Sequence, residues 1–312
     1  PMQGPGSPER KRGPYRAASR LDLRLFPPSF CLPCLELHDA MMNGRSSIGG
    51  HRAADVRFVD SHCHLDMVQI FDSEAIPWMK EAGCLPVSWS FCGRVDTADD
   101  LKTYFVGQKD AIARLNREGL RCYYLCGVHP RNIPPDLAPS QVPELLLPCL
   151  DDPFCLGIGE IGLETGSGRE KEILRAHLDM AEEVVRRGKV FGIHTPRRDK
   201  KAVTEKILDM LKDYIRHRRS IVVDHCTGET IASVLRMGLW AGITMSPEKT
   251  RVHDLIRIIH AHGGDTGRIM LNTDSGASYH RDLSVLVSEE SIGKAARAAL
   301  LRENALVFYR LA

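Results

Sequence analysis

Two histidines separated by one residue are the first feature of the chain that could do chemistry. His62 and His64 follow a short apolar run that includes Phe58 and Val59. In an extended backbone, residues i and i+2 point to the same side of the strand. The spacing therefore allows both imidazoles to bind one metal ion, although a polar strand end without a metal would show the same pair.

Polar residues of the types that bind metals recur after other short apolar runs. In chain order they are His129, Glu160, His194, Asp224, His225, Asn272 and Asp274. Any one of them could instead cap an element or bind a backbone carbonyl. Their recurrence, together with the histidine pair, favours a shared site in which a divalent metal ion would compensate the converging charges.

The elements that would position these residues follow a regular order. Eight short apolar runs occur, at Arg57–Asp60, Leu85–Ser90, Tyr123–Gly127, Cys155–Glu160, Val190–His194, Ile221–Asp224, Leu239–Thr244 and Ile269–Asn272. Helix-patterned stretches include Lys171–Arg187, Thr204–Ile215 and Val252–His262, and a helical segment, Glu289–Leu311, closes the sequence.

Apolar strands that alternate with helices predict a parallel sheet covered on both faces. Eight such units predict an α/β fold of the closed (β/α)8 TIM-barrel type, typically about 250 residues long. In that fold the carboxyl ends of the strands meet at one face, where the polar residues would gather. An open doubly wound sheet is the alternative, but no glycine-rich phosphate loop follows the first run.

The first 55 residues differ in composition from the rest. They are rich in Pro, Gly, Arg and Ser without sustained periodicity, which predicts a disordered tail at 1–55 and a barrel domain at 56–312. The arginine and serine content also fits an organelle-targeting segment. Met41 or Met42 is an alternative start for the protein. We expect a cytoplasmic location, with organellar targeting as the alternative.

Charge and hydropathy limit the classes of partner. The formal net charge is +2, and seven basic against four acidic residues in 1–50 leave the remaining chain close to neutral. Contact with nucleic acid is therefore expected to be local. No apolar run approaches the roughly 20 residues of a membrane span, so no membrane partner is expected. The oligomeric state stays open.

The cysteines are predicted to be reduced packing residues. Five of them lie in or beside apolar runs: Cys63, Cys84, Cys126, Cys155 and Cys226. Such thiols behave as small hydrophobic side chains in a large core. Cys31 and Cys34 have the spacing of half a zinc site, but no second pair follows nearby.

The motifs HxH, GVHP, GEIGLE, IHTP, DHC and NTD, in this order, resemble the TatD-like metal-dependent hydrolases of the amidohydrolase superfamily. The similarity covers about residues 57–312. It implies two divalent metal ions, Zn²⁺, Mn²⁺ or Mg²⁺. The implied ligands are His62, His64 and Asp274 for the first ion, His194 and His225 for the second, and Glu160 as the bridge.

The resemblance also implies catalytic and substrate-binding roles. Asp274 would orient an attacking water or accept its proton, with Glu160 as the second catalytic residue, and His129 would contact the substrate. Arg197, Arg198, Lys200 and Lys201 follow His194 and could form a local clamp for a phosphate or carboxylate. A solvated loop at the start of the next helix is the other interpretation.

Several neighbours of the motifs depart from the family pattern. Glu164 stands where Asp is usual, Thr227 follows the His-Cys pair, and Ser275-Gly276 replaces Ala-Pro. The expected partners are DNA ends, for a phosphodiesterase of deoxyribonuclease type, or a small phosphoester or carboxyl substrate. The alternatives are hydrolysis of a small ester, lactone or amide, and a non-catalytic scaffold stabilised by metal.

Overall fold

The computed structural model describes residues 56–91, 93 and 95–311. The predicted tail at 1–55 and the Cys31–Cys34 pair lie outside these residues. Eight parallel strands form one sheet in sequence order. They are β1 (Phe58–Cys63), β2 (Cys84–Trp89), β3 (Tyr123–Cys126), β4 (Cys155–Gly162), β5 (Val190–His194), β6 (Ile221–Val223), β7 (Trp240–Thr244) and β8 (Ile269–Asn272).

The sheet curves into a nearly closed barrel, which confirms the TIM-type prediction. At the closure, the Ser61 hydroxyl donates to the Leu271 carbonyl at 2.8 Å, and the Asp274 N–H donates to the His62 carbonyl at 2.9 Å. These bonds join the first strand to the last. The polar ends of both strands therefore lie side by side.

Helices cover the outer face of the sheet. They are α1 (Leu65–Phe71), α2 (Ala75–Ala82), α3 (Ala98–Arg117), α4 (Val142–Leu146), α5 (Gly168–Leu178), α6 (Ala181–Arg186), α7 (Lys200–Leu211), α8 (Ile231–Arg236), α9 (Val252–Ala261), α10 (Asp282–Leu286), α11 (Lys294–Ala298) and α12 (Asn304–Phe308). None of these described helices is both long and apolar enough to cross a membrane.

The longest helix shows why the sequence folds locally as it does. At the start of α3, the Thr97 hydroxyl accepts from the Asp100 N–H and the Asp100 carboxylate accepts from the Thr97 N–H, which forms a capping box. Leu101, Phe105 and Ile112 recur at helical spacing and are buried. The cap fixes where the helix begins, and the apolar face fixes how it packs on the sheet.

Helix boundaries differ from the sequence prediction in three places. The predicted helix Lys171–Arg187 is two helices, α5 and α6, because the chain tightens where the Met180 N–H bonds the His177 carbonyl three residues back. Helix α7 starts at Lys200, earlier than expected, and continues as a 3₁₀ segment, Lys212–Ser220. The closing segment is interrupted by a π-helical turn, Ala299–Glu303.

An apolar cluster fills the barrel interior and supports the site from below. It contains Val59 and Trp89, and the carboxyl-terminal Phe308 and Tyr309 complete it. The Tyr309 hydroxyl donates to the Ser61 carbonyl at 2.7 Å and accepts from the Trp89 indole N–H at 3.2 Å. Gly192 is required beside this indole, because an added Cβ would lie 2.4 Å from the ring.

The cysteine prediction is confirmed. The five predicted packing cysteines are all buried and free. Cys126 and Cys155 lie on neighbouring strands with their sulfurs 3.9 Å apart, too far for a disulfide bond.

Candidate metal centre

A cavity of about 830 Å³ opens where the strands end. Predicted site residues that line it are His64, His129, Glu160, His194, Arg197, Lys200, His225 and Asp274. His62 lies beneath the cavity and is fully buried. Arg198 is exposed to solvent and is not part of the cavity lining. Lys201, the last residue of the predicted clamp, is likewise exposed and outside the lining. The structure thus brings nine of the eleven predicted residues together and leaves Arg198 and Lys201 outside.

His62 presents an unused nitrogen to this site. Its Nδ1 lies 2.5 Å from Asp224 Oδ2, and its ring stacks on Trp89 with centroids 4.0 Å apart. Nδ1 carries the proton, because the carboxylate accepts it. The buried Nε2 has no hydrogen-bond partner and lies 3.3 Å from Glu160 Oε2. A histidine held by a carboxylate through one nitrogen, with the other facing acidic oxygens, is the usual arrangement of a metal ligand.

Asp224 is fixed in this role by its own surroundings. Its Oδ1 accepts from the Asn272 amide at 2.7 Å, and Gly242 leaves the space that the carboxylate occupies. Burial alone would raise the pKa of Asp224, but the imidazoles of His225 and His62 lower it to about 2. The carboxylate is therefore charged and keeps the His62 ring in one tautomer.

His64 faces acidic oxygens in the same way. Its Nδ1 donates to the Trp89 carbonyl at 2.9 Å, which can only accept. Its Nε2 lies 3.0 Å from Asp274 Oδ1 and 3.9 Å from Glu160 Oε2. A nitrogen lone pair and carboxylate oxygens repel each other unless a proton or a metal ion lies between them.

Glu160 occupies the centre of the site. Its Oε1 lies 2.5 Å from His194 Nδ1, 3.1 Å from His225 Nε2 and 3.7 Å from His129 Nε2. Burial opposes its charge, but His62, His129 and His194 hold the pKa of Glu160 well below its ordinary value. Because imidazoles surround this buried carboxylate, Glu160 is placed where it could contact two metal ions.

Two groups of ligand atoms meet the distances that a metal ion requires. Atoms of His62, Glu160, His225 and Asp274 lie within 4.8 Å of one another, and so do atoms of His129, Glu160 and His194. This donor set of imidazoles and carboxylates suits Zn²⁺ or Mn²⁺. The residues therefore fit a divalent metal ion. His225 lies in the group of His62, whereas the family resemblance implied a pairing with His194, and His64 lies in neither group.

A family model described as TatD related DNase matches residues 59–281. The chain belongs to this family. It is 29% identical over 215 residues to an uncharacterized metal-dependent hydrolase of Methanocaldococcus jannaschii, covering 64% of this chain and 78% of that protein.

Solved structures agree with the TatD assignment. A TatD-like protein from Archaeoglobus fulgidus is 29% identical, with a TM-score of 0.66 over 81% of this chain and all of that one. A TatD homologue from Escherichia coli, at 20% identity and a TM-score of 0.52 over 82% of this chain and 95% of that one, shares the fold. The chain is thus a metal-dependent hydrolase of the TatD family.

The candidate metal ligands lie at or just after the carboxyl ends of the strands. His62 lies on β1, Glu160 on β4, and His194 is the last residue of β5. His225 and Asp274 follow β6 and β8 in left-handed backbone conformations, with φ of 55° and 49°. These conformations are uncommon outside glycine and turn both side chains back over the barrel.

His129 differs from the other histidines in its hydrogen bonding. Its Nδ1 accepts the Arg131 backbone N–H at 3.1 Å, so the proton of the neutral ring lies on Nε2. Burial lowers the pKa of His129 to about 4, so the ring is neutral at pH 7. An N–H aimed at Glu160 suits a donor to substrate better than a metal ligand, and the predicted substrate contact stays a prediction.

The basic residues after β5 have separate surroundings. Lys200 Nζ donates to the Thr195 carbonyl at 3.2 Å, the Thr195 hydroxyl at 3.0 Å and the His225 carbonyl at 2.9 Å. Arg197 is exposed at the mouth, 3.9 Å from Glu248. Lys200 thus fixes two loops of the site, while Arg197 remains accessible to a ligand.

Four residues with contacts here had no individual role predicted from the sequence. They are Asp224, Asn272, Arg131 and Lys249. Asp224 and Asn272 were recognised as strand ends, which was a usable signal. Lys249 lies in the loop after β7, where the sequence shows no motif. Glu164, noted as a departure from the family, accepts from His194 Nε2 and Arg131 Nε, each at 3.0 Å.

Proposed function

We propose that this protein hydrolyses phosphoester bonds with two divalent metal ions, and that the end of a DNA strand is its first candidate substrate. The observation that carries the proposal is the group of buried imidazoles and carboxylates beneath an open cavity, with His62 Nε2 left without a partner. Family membership supports the same reaction class.

The side chains of the site would have different roles in this reaction. His62, His64, Glu160, His194, His225 and Asp274 would hold the ions. When bound, divalent ions supply Lewis acidity and make a water molecule more acidic. Asp274 faces the cavity and would accept the proton of that water. The His129 N–H would donate to an oxygen of the substrate, and the carboxylate of Asp224 keeps His62 oriented.

A small ester, lactone or amide is the second candidate substrate, and the cavity mouth favours it. Arg131 Nε lies 3.0 Å from Glu164, and Arg197 lies 3.9 Å from Glu248. The two glutamates reduce the positive potential that the arginines would offer to a long nucleic acid. The cavity volume of about 830 Å³ also falls in the range of small-molecule sites.

A hydrolysis screen would distinguish the two candidate substrates, with protein whose metal content has been measured. End-labelled single- and double-stranded DNA would be compared with bis-p-nitrophenyl phosphate, simple carboxylic esters, lactones and amides, each with Mg²⁺, Mn²⁺ or Zn²⁺. Shortening of DNA from one end supports the first candidate. Turnover of small esters or amides alone supports the second, and no turnover of any substrate with metal bound would reject both.

A further inference from the structure

Lys249 is a cation inside the cavity that the proposed reaction has not used. It lies in the loop after β7 and lines the cavity, and only 17% of its side chain is exposed. Its Nζ donates to Asp274 Oδ2, while Asp274 Oδ1 faces His64. The ammonium group therefore lies directly beside the carboxylate assigned to the reacting water.

The backbone of the loop holds Lys249 independently of Asp274. The Met245 N–H donates to the Asn272 carbonyl at 2.7 Å, and the Lys249 N–H donates to the Ser246 carbonyl at 3.2 Å. The Thr250 N–H returns to the Thr244 carbonyl at 3.2 Å, and Met245 and Thr250 form a β-bridge. This compact turn fixes the backbone position of Lys249 without a contribution from Asp274.

The other cations that line the described cavity have partners with no assigned role in the reaction. Lys200 makes three hydrogen bonds that join the loops after β5 and β6. Arg131 and Arg197 lie at the mouth and pair with glutamates. Lys249 differs, because its partner is a side chain that has a second task in the site.

We propose that Lys249 binds an oxyanion of the substrate, a phosphate or carboxylate group next to the bond that is hydrolysed. The inference rests on the proposed function for the role of Asp274. As the substrate binds, its oxyanion takes the place of Asp274 Oδ2 beside the ammonium group of Lys249. A lysine suits this exchange, because its ammonium is a compact charge with three donors and a flexible stem.

Direct binding of small anions tests the proposal without turnover. Isothermal titration calorimetry would measure inorganic phosphate and succinate on metal-loaded wild type, Lys249→Met and Lys249→Arg. The matched control is Lys102→Met, which removes the same charge from an exposed residue of α3 outside the cavity lining. We expect Lys249→Met to weaken binding of one or both anions about tenfold or more, Lys249→Arg to retain most of the affinity, and Lys102→Met to stay within about twofold of wild type.

The two anions distinguish the chemistry that Lys249 recognises. A selective loss of phosphate binding in Lys249→Met indicates a phosphorylated substrate, and a selective loss of succinate binding indicates a carboxylated one. Unchanged affinity for both anions in Lys249→Met, or an equal loss in Lys102→Met, would overturn the proposal. So would a wild type that binds neither anion. Melting temperature and metal content would confirm that each variant is folded. If Lys249→Met does not fold, Lys249→Gln would be tested in its place.

A substrate pair separates this inference from the proposed function. Where a substrate is found, Lys249→Met should raise KM for an ester that carries a phosphate or carboxylate and leave KM for its neutral analogue unchanged. Equal changes for both esters would reject the role of Lys249 while the hydrolase stands. Lysine-dependent anion binding in a protein that hydrolyses nothing would instead reject the proposed reaction and keep the anion site.

Discussion

Each histidine of the site is defined by what its second nitrogen contacts. Asp224 accepts from His62, the Trp89 carbonyl accepts from His64, and a backbone N–H donates to His129. These partners decide whether the nitrogen that faces Glu160 offers a lone pair or a proton. The sequence predicted the histidines but not these partners, because Asp224 is 162 residues from His62 and meets it only in the folded barrel.

Replacing Asp224 tests the orientation of His62. In Asp224→Asn the charged acceptor is lost, and the ring is free to place its proton on Nε2. We expect metal affinity to fall about 10- to 100-fold, measured by competition with a chelator. Asp213→Asn is the control, because Asp213 is exposed and pairs with Arg175 at the surface. Equal affinity in wild type and Asp224→Asn would show that this carboxylate does not orient a ligand.

Replacing Asp274 tests the proton acceptor. Asp274→Asn keeps the shape of the side chain but removes its basicity, so kcat should fall about a hundredfold or more with the fold retained. Steady-state kinetics on the substrate found in the screen would measure this, with metal content and melting temperature recorded in parallel. Asp213→Asn again serves as the control, and a kcat near that of wild type in Asp274→Asn would exclude the role.

The elements themselves were largely predictable, and the connections were not. Short apolar runs at a regular spacing encode β1 to β8, because burial on both faces demands it. The loop that carries Lys249 is held by a backbone hydrogen bond from Met245 to Asn272 at the end of β8. No local sequence pattern predicts this bond. The split between α5 and α6 was missed for the same reason, since one apolar periodicity runs through both helices.

A buried histidine in α5 links that helix to the loop carrying His129. His177 Nδ1 donates to the Ile173 carbonyl at 2.7 Å, and its Nε2 accepts the Val128 N–H at 3.2 Å. Burial lowers the pKa of His177 from 6.5 to about 4, so the folded protein holds it neutral. The unfolded chain therefore binds its proton first, and stability that is complete above pH 6.5 declines as the pH falls toward 4.

His177→Gln should remove this pH dependence. Between pH 7 and pH 5 the free energy of unfolding of wild type should fall by about 2 kcal/mol more than that of the variant. Urea unfolding of both metal-free proteins at the two pH values measures this difference, since the other histidines titrate alike in each. Glutamine can still accept the Val128 N–H. Parallel pH profiles in the two proteins would show that His177 does not titrate with unfolding.

At the scale of the whole molecule, the site joins distant parts of the chain. β1, β4 and β5 contribute residues directly, and the segments after β1, β3, β6 and β8 contribute His64, His129, His225 and Asp274. From below, Tyr309 reaches the Ser61 carbonyl across 248 residues and supports Trp89 under His62. Because one set of ligands spans the closure of the barrel, metal binding should stabilise the whole fold.

Removal of metal tests this coupling between site and fold. A ligand at a hundred times its Kd stabilises the folded state by about 2.7 kcal/mol, so a chelator should lower the melting temperature by about 5–10 °C. Readdition of Zn²⁺, Mn²⁺ or Mg²⁺ should restore it, with the native ion acting at the lowest concentration. His62→Ala should lose both bound metal and the shift, whereas His253→Ala, on the exposed face of α9, should keep them. If neither chelator nor added metal changes the melting temperature of wild type, the histidines and carboxylates around Glu160 hold no ion.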